Sequence, residues 1–116
     1  MINWIVSELN EQGESWYFPS FEIQEYLLPI INVGVERIDE YSSTEYSIED
    51  CRRLKYVIVF ALETLAITQK SEIRYETIHD DLVPLNKQEI IDTLESLLDA
   101  SKLSVKLQSE LIFMGD

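Results

Sequence analysis

The excess of acidic side chains limits this chain to folds whose core can offset strong self-repulsion. The sequence has 22 Asp and Glu residues against 9 Lys and Arg, a formal net charge of -13 on 116 residues. Hydrophobic residues make up 46% of the chain and recur at regular spacing, unlike those of a disordered acidic segment. We therefore expect one folded domain over residues 1–116, of a size that buries a single core.

The first 47 residues predict acidic N-terminal helices. The apolar residues from Ile2 to Leu9 recur at the spacing of one helical face. Ser20 is placed to cap a second helical segment, Phe21 to Tyr41. Within that segment, Pro29 and Gly34 predict a kink or a break into two helices.

Residues 48–116 predict further helices with clear starting signals. Ser47 and Asp50 have the spacing of a capping pair before a third helix. Apolar residues from Leu54 to Ile67 occupy more than one face of this helix, which favours a buried central position. A short helix is expected from Tyr75 to Leu82, and a well-defined one follows the N-cap at Asn86 and runs to Ala100.

The chain after Ala100 changes its period. Apolar and polar residues alternate from Leu103 to Leu107, and an apolar run from Leu111 to Met114 follows. This pattern predicts a terminal β-hairpin, although Leu103, Leu107, Leu111 and Met114 also satisfy helical spacing, so a terminal helix is the alternative. The fold class predicted is mainly α, a single-domain protein of four to six helices with a small C-terminal hairpin.

The order of these elements in residues 48–116, with a short strand at Glu72 to Arg74, resembles a winged helix-turn-helix domain. The apolar pattern from Ile90 through Leu94 and Leu97 to Leu103 is similar to a recognition helix leading into a wing. That resemblance implies DNA binding. However, the helix from Asn86 to Ala100 carries four acidic residues and one basic residue, so it would repel phosphates. We expect nucleic acid not to be the partner.

A winged-helix regulator that binds DNA as a dimer remains the alternative function. It requires one continuous basic strip, formed by Arg52, Arg53, Lys55, Lys102 and Lys106.

Few residues point to catalysis. His79 is the sole histidine, and Cys51 would form a nucleophilic dyad with it only if the fold brought them together. Glu76 and His79 have the spacing of metal ligands on one helical face, but a di-iron site needs two such pairs. Three glycines leave no phosphate-binding loop. We expect no enzyme, no cofactor and no metal.

Cysteine content and the N-terminus favour a cytoplasmic protein. A lone cysteine forms no internal disulfide, and the N-terminus lacks the basic region of a signal peptide. The longest apolar run, Tyr56 to Leu62, is far shorter than the ~20 residues that cross a bilayer. We expect no association with membranes.

Acidic residues concentrate in the first 47 positions, which hold nine of them against one basic residue. Because an acidic field attracts basic proteins, we expect a basic protein partner, with a homodimer left open. Trp16 and Tyr17, with Phe18, either anchor this partner or seal the core. The predicted function is a non-enzymatic acidic interaction module, of the inhibitor or immunity-protein kind, that blocks a basic nuclease-like protein. The candidate electrostatic contacts are Glu22, Glu25, Glu36, Asp39 and Glu40.

Overall fold

The computed structural model describes residues 1–8, 15–32, 37–77 and 79–115. Within these ranges the chain forms three helices and six strands. In chain order they are β1 (Asn3–Val6), β2 (Trp16–Tyr17), α1 (Phe21–Ile31), β3 (Ser43–Tyr46), α2 (Ile48–Ile67), β4 (Glu72–Glu76), β5 (Leu82–Asn86), α3 (Lys87–Leu107) and β6 (Leu111–Met114). The protein is an α+β fold with two antiparallel sheets, so the prediction of a mainly α fold with four to six helices is wrong.

A four-stranded antiparallel sheet in the order β2-β1-β6-β3 joins both ends of the chain. Trp4 lies opposite Phe113 and Phe113 opposite Thr44, so these side chains share the face that packs against the helices. Ile2, Trp4 and Val6 are fully buried. The predicted first helix is therefore wrong: a short apolar run fits a buried strand as well as a helical face, and pairing with β6 selects the strand.

The C-terminal hairpin is also absent. Residues 103–107 form the last turns of α3, as the helical alternative predicted for them. The helix ends at Gln108, whose φ of 53° is left-handed, and Leu111 and Met114, which the same alternative made helical, lie on β6. Ser101 and Ser104 are buried on the helix face that meets the core, so their polarity was misleading. Strand β6 pairs with β1 and β3 instead of folding back on residues 103–107.

A β-hairpin replaces the predicted short helix from Tyr75 to Leu82. Strand β4 starts at Glu72, where a strand was expected, and pairs with β5 so that Tyr75 lies opposite Val83. The turn between them is closed by the Thr77 N–H, which donates to the Asp81 carbonyl at 2.9 Å. Without the short helix, the described residues after Ile48 contain no helix-turn-helix, so the winged-helix-like fold predicted for residues 48–116 is wrong.

Three helix starts agree with the caps predicted from sequence. Ser20 Oγ accepts from the N–H of Ile23 at 3.2 Å. Ser47 and Asp50 form a reciprocal capping box, with bonds of 3.1 and 3.2 Å. The side chain of Asn86 caps α3. These short-range bonds satisfy N–H groups that helix ends leave unpaired.

Helix α1 continues through Pro29 and ends at Ile31, so the predicted segment to Tyr41 is shorter than expected. Pro29 has no N–H to donate to the carbonyl of Glu25 four residues earlier, and the helix ends two residues after it. Gly34 lies outside the described residues. Residues 37–41 are not helical and lead into β3.

Helix α2 packs against α3 but is not buried all round, contrary to prediction. One stripe that includes Leu54, Ile58 and Leu65 enters the core, while Tyr56 and Phe60 remain more than 70% exposed. No helix in the described part of the chain combines the length and apolar character needed to span a bilayer.

Candidate protein-binding site

The first part of the site is the exposed side of α1. The Ser20 cap sets the start of the helix, which places Glu22 in its first turn and Glu25 one turn further along. Ile23 and Leu27 on the other side of the helix are buried and hold α1 against the core. Because the apolar side of α1 packs against the core, the acidic side faces away from it.

The second part is the segment from Arg37 to Ser42, which enters β3. The N–H of Ile38 donates to Asn32 Oδ1 at 3.0 Å, and the N–H of Asp39 donates to Thr44 Oγ1 at 3.1 Å. Ile38 is 2% exposed and anchors the segment in the core. These contacts give Asp39 a defined position without a helix.

Gly115 allows this segment to lie against the end of β6. A Cβ atom at position 115 would come within 2.5 Å of the carbonyl carbon and oxygen of Glu40. The N–H of Gly115 also donates to the Ser42 carbonyl at 3.0 Å. A residue without a side chain is therefore needed here because two backbones approach closely.

Together these elements form a groove of about 790 Å³ that brings three of the predicted carboxylates onto one concave surface. It is lined by Glu25, Leu28, Pro29, Asn32, Arg37, Ile38, Asp39, Glu40, Tyr41 and Tyr75. The single cation, Arg37, leaves the lining with an excess of negative charge. We call this surface the acidic groove.

Hydrogen bonds and burial set the electrostatics of the groove. The pKa of Asp39 is lowered, first by the N–H of Tyr41 and then by the Ser42 side chain and the charge of Arg37. Burial, then the charge of the neighbouring Glu25 carboxylate and a hydrogen bond from Tyr75 to it, raise the pKa of Tyr75. Asp39 is thus held as an anion, whereas Tyr75 is held in its neutral form.

One atom of the groove lacks a partner. Glu25 Oε1 is buried and no group in the described residues donates a hydrogen bond to it. Buried polar atoms without partners are uncommon in folded proteins, because each keeps a desolvation cost that nothing offsets. A donor from a bound molecule would remove that cost.

The predicted aromatic residues have separate roles. Phe18 is fully buried and meets Trp4 edge-to-face with ring centroids 5.1 Å apart, so it seals the core. Trp16 is half-buried, and Tyr17 is 68% exposed. Tyr17 and Ser43 lie in the same row across the sheet, separated by three strand spacings, or about 14 Å. An interface of ordinary size is wide enough to include both Tyr17 and Ser43.

The structure thus brings Glu25, Asp39 and Glu40 together in the acidic groove, whereas Glu22, in the first turn of α1, does not line it. Glu36 lies outside the described residues. The sequence analysis missed Tyr75 because it assigned that residue to a helix, whereas its place on β4 turns it toward α1. Its ring meets that of Tyr26 at 5.6 Å, edge-to-face.

A second surface gathers five of the nine cations of the chain. Helices α2 and α3 border a cleft of about 600 Å³, and the lining includes every residue that the DNA-binding alternative required. These residues are Arg52, Arg53, Lys55, Lys102 and Lys106. We call this surface the basic cleft.

The residues considered for catalysis lie in different environments. Cys51 is buried in the first turn of α2, where its thiol donates to Ser104 Oγ at 3.4 Å, and burial raises its pKa. His79 is exposed in the turn after β4. Glu76 ends β4, so its spacing from His79 no longer places both on one helical face. Within residues 1–8, 15–32, 37–77 and 79–115, no group of three or more His, Cys, Asp or Glu residues could hold a metal ion.

The comparisons with known proteins give no relative for this chain: no family model, no curated protein and no solved structure matches it.

Proposed function

We propose that this protein is a non-enzymatic acidic interaction module that binds a basic protein through the acidic groove and blocks it, as an inhibitor or immunity protein does. The observation that carries the proposal is the buried Glu25 Oε1, which lacks a donor in a groove shared with Asp39 and Glu40. A Lys or Arg side chain from a partner would supply the donor and the opposite charge. The proposed setting is the cytoplasm.

The geometry supports a simple blocking mechanism. If the partner is a basic nuclease, the groove carboxylates take the place of nucleic-acid phosphates on its cationic surface. The overall charge of -13 speeds the encounter, an effect that decreases with added salt. Tyr41, which lines the groove and is 80% exposed, and Tyr17 offer aromatic surface that slows dissociation.

Capture from the native host lysate tests this proposal. The protein is immobilised, lysate is applied at low and at moderate salt, and retained proteins are identified. We expect one basic protein that is held at low salt and weakened by added salt, and that loses nuclease activity when this protein is added. Retention of a basic protein whose activity is unchanged would contradict the blocking role.

Nucleic-acid binding by a dimer is the second candidate function. Its winged-helix basis is absent from the fold, but one observation still favours it, because the required cations line a single cleft. Recovery of DNA fragments from the same lysate, lost when the basic cleft is neutralised, would support this candidate over the first.

A further inference from the structure

The basic cleft contains cations that no protein group neutralises. Arg52 and Arg53 are 3.6 to 3.9 Å from the carboxylates of Glu49 and Asp50. Within the described part of the chain, the three lysines of the cleft, Lys55, Lys102 and Lys106, have no ion pair and no hydrogen bond to another protein group.

Their placement costs the fold energy. Lys102 and Lys106 lie four residues apart on α3, a spacing at which like charges on a helix repel each other. In a chain with 22 acidic residues, none pairs with these lysines within the described ranges. An anion bound between α2 and α3 would relieve this repulsion.

The rest of the lining favours a ligand with a flat apolar part. Buried Cys51 and Ser101, with half-buried Val105, line the cleft between the helices. Tyr56 adds an aromatic ring that is 75% exposed. A volume of about 600 Å³ lies within the range of small-molecule sites. An aromatic ring of a ligand can stack on Tyr56 while its anionic group meets the lysines.

Charge distribution selects a compact anion over a polymer. The five cations with Glu49 and Asp50 give this region a formal charge of +3, and because the whole chain carries -13, the remainder carries -16. A ligand that fits inside the cleft meets the positive region alone. A nucleic acid would extend beyond it and meet the acidic remainder.

We propose that the basic cleft binds a small phosphate monoester that carries an aromatic group. A phosphate monoester carries about -1.5 to -2 charges at neutral pH, which matches several lysines better than one carboxylate does. This site is separate from the acidic groove, and the proposal does not depend on the function proposed for that groove.

Titration with adenosine monophosphate, followed by calorimetry and by amide NMR shifts, tests the proposal. We expect saturable binding at one site, with the shifts concentrated at Tyr56 and Val105. Lys102→Ala with Lys106→Ala should weaken binding about tenfold or more, since each removes a charged contact. Both positions are exposed, and alanine is a good helix former, so the fold should persist.

A matched control makes the same change in net charge elsewhere. Lys70→Ala with Arg74→Ala removes two exposed cations that do not line the cleft, and it should leave binding within about twofold. Tyr56→Leu should weaken the binding of adenosine monophosphate but not of inorganic phosphate, which has no ring to stack.

Three results would overturn the proposal. The first is no saturable binding of adenosine monophosphate at millimolar concentration. The second is equal weakening by the cleft pair and the control pair, which would show only a general effect of net charge. The third is binding of single-stranded oligonucleotides that strengthens with their length, which would identify a polymer as the ligand.

Discussion

Replacing Gly115 with alanine should destabilise the fold and move one wall of the acidic groove. The new Cβ would lie within 2.5 Å of the backbone of Glu40, closer than any real contact of this kind, so one backbone must shift. If the segment before β3 moves, Asp39 and Glu40 move with it. If the chain end moves instead, the hydrogen bond from Gly115 to the Ser42 carbonyl is lost.

Either movement lowers the free energy of unfolding. Overpacking a fitted site costs about 1–3 kcal/mol, and a lost hydrogen bond costs about 1 kcal/mol. At an unfolding entropy of roughly 2.1 cal/mol/K per residue, 1 kcal/mol shifts the Tm of a chain of 116 residues by about 4 °C. We therefore expect Gly115→Ala to lower Tm by about 4–12 °C in a calorimetric scan.

A truncation after Met114 serves as the control, because it removes the hydrogen bond without adding a clash. It should lower Tm by about 4 °C, the low end of the range expected for Gly115→Ala. Amide NMR shifts of Gly115→Ala should change at Asp39, Glu40 and Tyr41. An unchanged Tm and unchanged shifts for Gly115→Ala would refute the close packing on which the shape of the groove depends.

Three further predictions concern other parts of the fold. Ser47→Ala removes half of the capping box with Asp50 and should cost about 1 kcal/mol in urea unfolding, whereas an uncapped α2 would show no change. A hydrogen bond with Glu45, and then the charge of Glu45, raise the pKa of Glu110, so its contribution to stability is present at low pH and lost as pH rises through the folded-state pKa. Glu110→Gln should therefore raise Tm at pH 7 and have a smaller effect near pH 4, and a larger effect at pH 4 would contradict this sign. Cys51 is buried with a raised pKa, so a thiol reagent should react slowly with the native protein and rapidly in urea, and fast native labelling would contradict its burial.

Local signals were predictable from the sequence. The caps at Ser20, Ser47 and Asn86 depend on residues three positions apart, and all three helices begin where those residues indicated. The start of β4 was also predicted. Such features depend on neighbours in the chain and not on the rest of the fold.

The sheet was not predictable in the same way. Strand β1 pairs with β6, which lies more than 100 residues away in the sequence, and no residue near Ile2 or Val6 indicates that pairing. Residues 103–107 alternate like a strand yet form the end of α3, because Ser101 and Ser104 face the core. Long-range pairing and burial decided both cases.

The candidate site was predicted in part for the same reason. Glu25, Asp39 and Glu40 were named as contacts from the local excess of acidic residues, but the groove they line depends on Tyr75 and Gly115, which are distant in sequence. The basic cleft shows the opposite outcome. The DNA-binding alternative required its cations to form one strip, and the packing of α2 on α3 does bring them together, although the fold differs from the one expected.

The central claim is that the acidic groove, and not the overall negative charge, binds the basic partner. The test compares two variants of equal net charge for affinity to the protein captured from the lysate. The groove variant carries Glu25→Gln, Asp39→Asn and Glu40→Gln. The control variant carries Glu63→Gln, Glu95→Gln and Asp99→Asn at exposed positions on α2 and α3.

Affinity measured by calorimetry at fixed salt decides between the two explanations. We predict that the groove variant weakens binding about tenfold or more, while the control variant stays within about twofold of the unmodified protein. Asparagine at position 39 keeps an oxygen for the N–H of Tyr41, so the segment should hold its shape. Equal weakening by both variants, or full binding by the groove variant, would contradict the claim.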